Sequence, residues 1–207
     1  MPPMLQAAAP TLVLASGSAT RRALLTAAGL AFTCLRPAVD ESAALAALAA
    51  AGAPAEEVAT TLAELKARSV ETRAAPGSLL LGADQILELD GAWLERPADP
   101  AEARAQLLRL RGRMHRLVTA AVLVRDGSRI WHAVDRAELR VRPFSDAFLE
   151  AYLARAGAAL TESVGAYRLE ELGALLMERV RGDHFTIQGL PLLPLLAALR
   201  EQGVLLG

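Results

Sequence analysis

Two long runs rich in apolar residues, 116–125 and 129–141, flank Asp126-Gly127. That dipeptide accepts the positive φ angles of a tight two-residue turn, so the pattern predicts a long β-hairpin. Around it, short apolar runs alternate with helical segments. Residues 11–15 read as a buried strand stopping at Ser16-Gly17-Ser18, and a helix through Arg21, Arg22, Leu24 and Leu25 closes at Gly29. A strand is expected at 32–35, then helix across 42–73 with a break at Gly52-Ala53-Pro54. Strand character returns at 78–81, and again at 86–89, which turns at Asp90-Gly91 into Trp93-Leu94. Asp99-Pro100 opens a helix to Leu110, and Ser145 caps one through Leu153. Strand-like stretches at 175–177 and 185–187 precede a last helix, which runs from Gly189-Leu190-Pro191 to about Gln202. There is no 20–50-residue repeat and no Gly/Ser- or Pro-rich linker, so the fold class is α/β with a mixed sheet flanked by helices. The 207 residues form a single domain, 1–207, in which the hairpin and helix at about 98–160 leave a second lobe open.

Composition narrows the function. Hydrophobic residues make up 53% and charged residues 22%, enough for a buried core and too apolar for a disordered chain. The formal net charge is -1, which argues against a nucleic-acid binder. No apolar run reaches the roughly 18 residues of a spanning helix, and residues 1–10 have no basic n-region. A soluble cytoplasmic protein is expected. Cys34 is the only cysteine, so it forms no internal disulfide and is expected as a small buried residue in a reducing compartment.

Chemistry concentrates in a few places. Ser16-Gly17-Ser18-Ala19-Thr20-Arg21-Arg22 joins a strand to a helix. Such a junction gathers unpaired N–H groups, the positive end of the helix dipole and two arginine forks, all suited to phosphate. It is neither a P-loop nor G-x-G-x-x-G, and the same pattern describes a capped helix with two solvated arginines. Asp84 follows the apolar run 79–83, where α/β enzymes place catalytic carboxylates and where turns also place an Asp. Asp40-Glu41 could bring a second acid to the same edge, and paired acids near phosphate suit Mg²⁺. Lys66 shares a face with Leu62 and Leu65, where a snorkelling lysine is the common occupant. Arg96 and Arg111-Gly112-Arg113 fit ordinary surface charge. His115, His132 and His184 have no metal-ligand spacing and are not expected as catalysts.

Taken together these stretches resemble the Maf family of nucleoside triphosphate pyrophosphatases, once called septum formation inhibitors. The matches are Leu14-Ala15-Ser16-Gly17-Ser18 with Arg21-Arg22, Val39-Asp40-Glu41, Leu62-Ala63 with Lys66-Ala67, Gly82-Ala83-Asp84-Gln85 and Arg96-Pro97. They continue through Gly112 with His115, Thr119-Ala120, Gly165-Ala166-Tyr167, Gly182-Asp183 and Gly189-Leu190-Pro191-Leu192. The resemblance implies an elongated two-lobed fold with a nucleotide cleft, and hydrolysis of a nucleoside triphosphate to monophosphate and pyrophosphate with Mg²⁺ or Mn²⁺. It implies that Asp84 activates water and binds metal with Glu41, and that Lys66 neutralises phosphate charge. Ser16, Gly17, Ser18, Arg21, Arg22 and Arg96 would hold the phosphates. The chain departs from the family's usual residues at Ala19 (proline), Arg96 (lysine) and Ser163-Val164.

The family's pyrimidine and 7-methyl-GTP branches differ at the positions of Thr20, Gln85 and Glu170. The first tends to Arg, Thr and Gln and the second to Trp, Gln and Glu, so this chain follows the 7-methyl-GTP branch at two of three. A carboxylate at Glu170 can accept from guanine's N1–H and N2–H₂, and it favours the charge that N7 methylation adds. The competing readings are a dTTP/UTP pyrophosphatase and a non-catalytic nucleotide-binding regulator of cell division. No nucleic-acid or membrane partner is expected, and a homodimer stays open.

Overall fold

A computed structural model describes residues 5–207; the expectation about a basic n-region rests partly on residues 1–4, which lie outside the described residues. Seven strands form one mixed sheet. They are β1 (Leu12–Ala15), β2 (Thr33–Leu35), β3 (Leu79–Leu89), β4 (Ala92–Leu94), β5 (Met114–Arg125), β6 (Ser128–Val141) and β7 (Met177–Arg181), ordered β2-β1-β3-β5-β6-β7 with β4 on β3. β1 runs parallel to β2 and β3, while β4 and β7 lie antiparallel to β3 and β6. The predicted hairpin is β5–β6, and its turn has Asp126 at φ 47° and Gly127 at φ 74°. The helices are α1 (Ala19–Ala27), α2 (Glu41–Ala50), α3 (Ala55–Arg68), α4 (Pro100–Leu110), α5 (Asp146–Leu153), α6 (Ala159–Glu162), α7 (His184–Ile187) and α8 (Leu192–Glu201). Ser18, Asp99 and Ser145 cap α1, α4 and α5 by accepting from Arg21 N, Glu102 N and Phe148 N, as their side-chain chemistry favours. None of the described helices is long and apolar enough to cross a membrane.

The chain forms two compact units. The first comprises residues through Asp84, then 119–135 and 189–207; the second comprises 85–118 and 136–188. In the first, all four residues of β1 are buried. Helix α3 turns a helical-period stripe inward, Ala55, Val58, Ala59, Leu62, Ala63, Lys66 and Ala67. It packs against β3 at Gly82, where an added Cβ would fall 1.9 Å from the Ala63 carbonyl oxygen. Only glycine permits that approach. The second unit has its own core, including Leu87, Leu107, Leu110, Leu139, Leu149, Tyr152 and Leu176.

Four local expectations are corrected. Residues 78–81 and 86–89 are not separate strands, because β3 runs unbroken through Asp84. Gly82 and Asp84 have poor strand propensity, but pairing of Leu79–Gly82 with β1 and burial of the segment override it. Residues 185–187 lie in the short helix α7, which Asp183 caps by accepting from Thr186 N at 2.8 Å. Residues 175–176 close a 3₁₀ turn, and the strand proper begins at Met177. Cys34 is exposed rather than buried, because β2 is the edge strand of the sheet.

Candidate active site

The loop after β1 is braced from within. Ser18 N donates to Ser16 Oγ at 3.2 Å, and Arg21 N donates to Ser18 Oγ at 3.3 Å. Arg21 does not project into solvent. Its side chain is buried, with Nη1 donating to Ser16 Oγ at 3.3 Å and Nε to the Gly189 carbonyl at 2.7 Å. Gly189 sits at φ +93°, and a Cβ there would press on that guanidinium at 3.3 Å. Arg21 therefore ties the loop to the segment before α8, while Arg22 and Gly17 are exposed and Ser18 and Thr20 half-buried.

Parallel pairing brings the remaining chemistry to this edge. Ala15 pairs with both Leu35 and Gly82, so the chain after β1, the chain after β2 and the middle of β3 meet at the carboxyl ends of parallel strands. This is where open α/β sheets bind ligands. Two residues past Gly82, Asp84 points to the same side of the strand. One helical turn past Ala63 comes Lys66, so the close contact at Gly82 sets these two side chains together. Lys66 Nζ lies 2.5 Å from Asp84 Oδ1 and 2.7 Å from Glu41 Oε2. Lys66 and Asp84 are 2% and 4% exposed, so the lysine does not snorkel. Of the acidic pair, Asp40 caps α2 by accepting from Ala43 N at 3.0 Å, leaving Glu41 to reach the lysine. Sequence reasoning placed Lys66 on an apolar face, and its polar partners were hidden in two distant segments.

Three expected residues lie in the second unit. Gln85 Nε2 donates to the carbonyls of Thr186 and Ile187 at 3.0 and 3.1 Å, so its amide braces α7. Arg96 is exposed in the loop after β4. Glu170 is exposed in the turn following Tyr167. Sequence reasoning gave no role to the pair beneath that turn, His115 Nε2 and the Tyr167 hydroxyl at 2.7 Å. Burial pushes His115 down to about 4. Burial, then the nearby Tyr152 and Glu170, hold the Tyr167 hydroxyl well above its ordinary range.

The profile of Maf, described as Maf-like protein, matches residues 11–202. This chain belongs to the Maf family. A protein of Rhodospirillum rubrum named nucleoside triphosphate pyrophosphatase is 50% identical over 202 residues, covering 98% of this chain and 100% of the relative. One of Paramagnetospirillum magneticum with the same name is 52% identical over 193 residues, covering 93% and 99%. A Rhizobium meliloti protein named 7-methyl-GTP pyrophosphatase is 47% identical over 196 residues, covering 95% and 98%.

The centre of this Maf protein also fits a divalent cation. Two carboxylates converge on one ammonium. Among the described residues no group of three or more His, Cys, Asp or Glu side chains is arranged to hold a metal ion. Two oxygen donors suit Mg²⁺, which keeps several of its waters.

Proposed function

We propose that this chain hydrolyses nucleoside triphosphates to the monophosphate and pyrophosphate at the Asp84–Lys66–Glu41 centre. The observation that carries the reading is a buried ammonium bridging two carboxylates at the strand edge that also bears the Ser16–Arg22 loop. The end-to-end likeness to relatives named for that activity supports the reaction class.

Phosphoryl chemistry asks the protein mainly for positioning and charge neutralisation. Asp84 takes a proton from the attacking water. The water oxygen bonds to the α-phosphorus as the bond from that phosphorus to the α,β-bridging oxygen breaks. The electron pair of that bond leaves with pyrophosphate. Lys66 and Arg22 offset phosphate charge, and Ser16, Gly17 and Ser18 present donors at the start of α1. Arg21 holds this loop in place and acts on the substrate through it. Glu41 and Asp84 would hold Mg²⁺ or Mn²⁺, which supplies further neutralisation of phosphate oxygens.

For the base, Glu170 and the Rhizobium meliloti relative's name favour 7-methyl-GTP. Glu170 is exposed, whereas the Gln85 amide is engaged with α7. The test is incubation of the purified protein with 7-methyl-GTP, GTP, UTP and dTTP, plus Mg²⁺ or Mn²⁺, read for pyrophosphate. Fastest release from 7-methyl-GTP is expected. Equal rates with UTP would leave a generalist pyrophosphatase, and binding without pyrophosphate would leave a regulator.

A further inference from the structure

We infer that Lys66 is the resident counter-cation of the metal-free centre: its ammonium holds the place between Asp84 and Glu41 that a divalent cation takes, and gives it up when that cation binds. The inference rests on the reading of Asp84 and Glu41 as the metal-binding carboxylates. Its first support is geometric. One nitrogen lies at hydrogen-bond distance from two carboxylates contributed by β3 and α2, while the lysine itself comes from α3. Nothing else on the inward stripe of α3 is polar, so the ammonium is in the core for these two partners.

The second support is the residue type. Lys66 is the only lysine in the sequence; every other Lys/Arg position is arginine. An ammonium is a compact point charge with three donors on a flexible stem, so it can serve two carboxylates at once and swing away. A planar guanidinium spreads its donors over a rigid fork and does not set a single charged nitrogen between two acids. The third support is charge. One ammonium leaves the pair of acids one negative charge in excess, enough to draw in a cation. A divalent ion neutralises both acids, and an ammonium held within a few ångströms of it is then repelled.

The consequence is competition followed by cooperation. Metal alone binds weakly because Lys66 already occupies its carboxylates. Nucleotide phosphates offer the displaced ammonium new partners, so metal and nucleotide each raise the other's affinity, by the same factor.

Mn²⁺ binding to the full chain without nucleotide, followed by the electron paramagnetic resonance of free Mn²⁺, tests this. Lys66→Met keeps the stem and removes the charge, and should bind Mn²⁺ about tenfold or more tightly, since a competing unit charge has gone. A folded Lys66→Met protein binding Mn²⁺ no better than wild type would overturn the inference. Glu41→Gln separates the two readings. If it leaves Mn²⁺ affinity unchanged, the metal assignment itself fails; if it weakens binding, only the role of Lys66 is in question. A wild-type measurement covers the case in which Lys66→Met does not fold. With a single lysine in the chain, the peptide carrying Lys66 reports its reaction with an amine-directed reagent without interference. Mg²⁺ alone should accelerate that labelling several-fold, and an unchanged or slower rate would contradict release of the ammonium.

Discussion

In the first unit a buried ammonium meets one buried carboxylate, Asp84, and one partly exposed carboxylate, Glu41; in the second, His115 Nε2 and the Tyr167 hydroxyl lie 2.7 Å apart. Both are polar clusters, but their charge differs. The first gathers one ammonium and two carboxylates. The second is neutral, since burial pushes His115 to about 4 and holds the Tyr152 and Tyr167 hydroxyls above their usual range. A neutral pair requires no ligand, and here it fixes backbone. Tyr152 donates to the Ala166 carbonyl at 3.1 Å, and Ala166 itself has φ 60°. A Cβ on the preceding Gly165 would meet Leu87 Cδ1 at 2.6 Å. The charged cluster is thus the one proposed for chemistry, and the neutral one is part of the architecture.

That distinction breaks if substitutions in the two clusters have the same effect. The largest difference is expected from Asp84→Asn, which keeps shape but removes the base. Its kcat should fall by about 10²–10⁴-fold, while calorimetric titration shows nucleotide binding nearly intact. More than half the wild-type rate would remove Asp84 from its role.

The neutral cluster should instead govern stability. The unfolded chain protonates His115 near 6.5, whereas the folded protein resists until about 4. Its contribution is therefore fully present above pH 6.5 and is lost as pH falls through that window, by up to about 3 kcal/mol. Urea unfolding at pH 7 and pH 5 should show a smaller loss in His115→Gln than in wild type, and kcat at pH 7 should change little. Identical losses in both proteins would mean that other groups carry the acid sensitivity.

Smaller effects sharpen the same contrast. Glu170→Gln should lower kcat/KM for 7-methyl-GTP more than for GTP, and Thr20→Trp should raise the 7-methyl-GTP preference a few-fold to about tenfold through stacking on a cationic base. Steady-state kinetics on the four nucleotides measure both. Cys34→Ser, on the exposed edge strand, should shift unfolding free energy by no more than about 0.5 kcal/mol and leave turnover unchanged.

Periodicity and turn chemistry made most elements legible. The Asp126-Gly127 hairpin and the caps at Ser18, Asp99 and Ser145 depend on local residues, and each forms as its sequence indicates. Where long-range packing decides, the sequence misled. The pairing of β3 with β1 carries a strand straight through Gly82 and Asp84, and β2's place at the edge exposes Cys34. The candidate residues were visible singly, and the resemblance gave them roles. The ion triad was not visible, because the clearance at Gly82 that sets α3 on β3 is a tertiary fact. Nor did the sequence show that Arg21 turns inward to Ser16 and Gly189 while Arg22 faces out.

The proposed reaction is attack of water on the α-phosphorus at the Asp84 centre. Hydrolysis in ¹⁸O-labelled water, with mass spectrometry of both products, tests it most directly. Label is expected in the nucleoside monophosphate, with none in pyrophosphate and no labelled product from Asp84→Asn. Label in pyrophosphate, or a nucleoside diphosphate with orthophosphate as products, would contradict it.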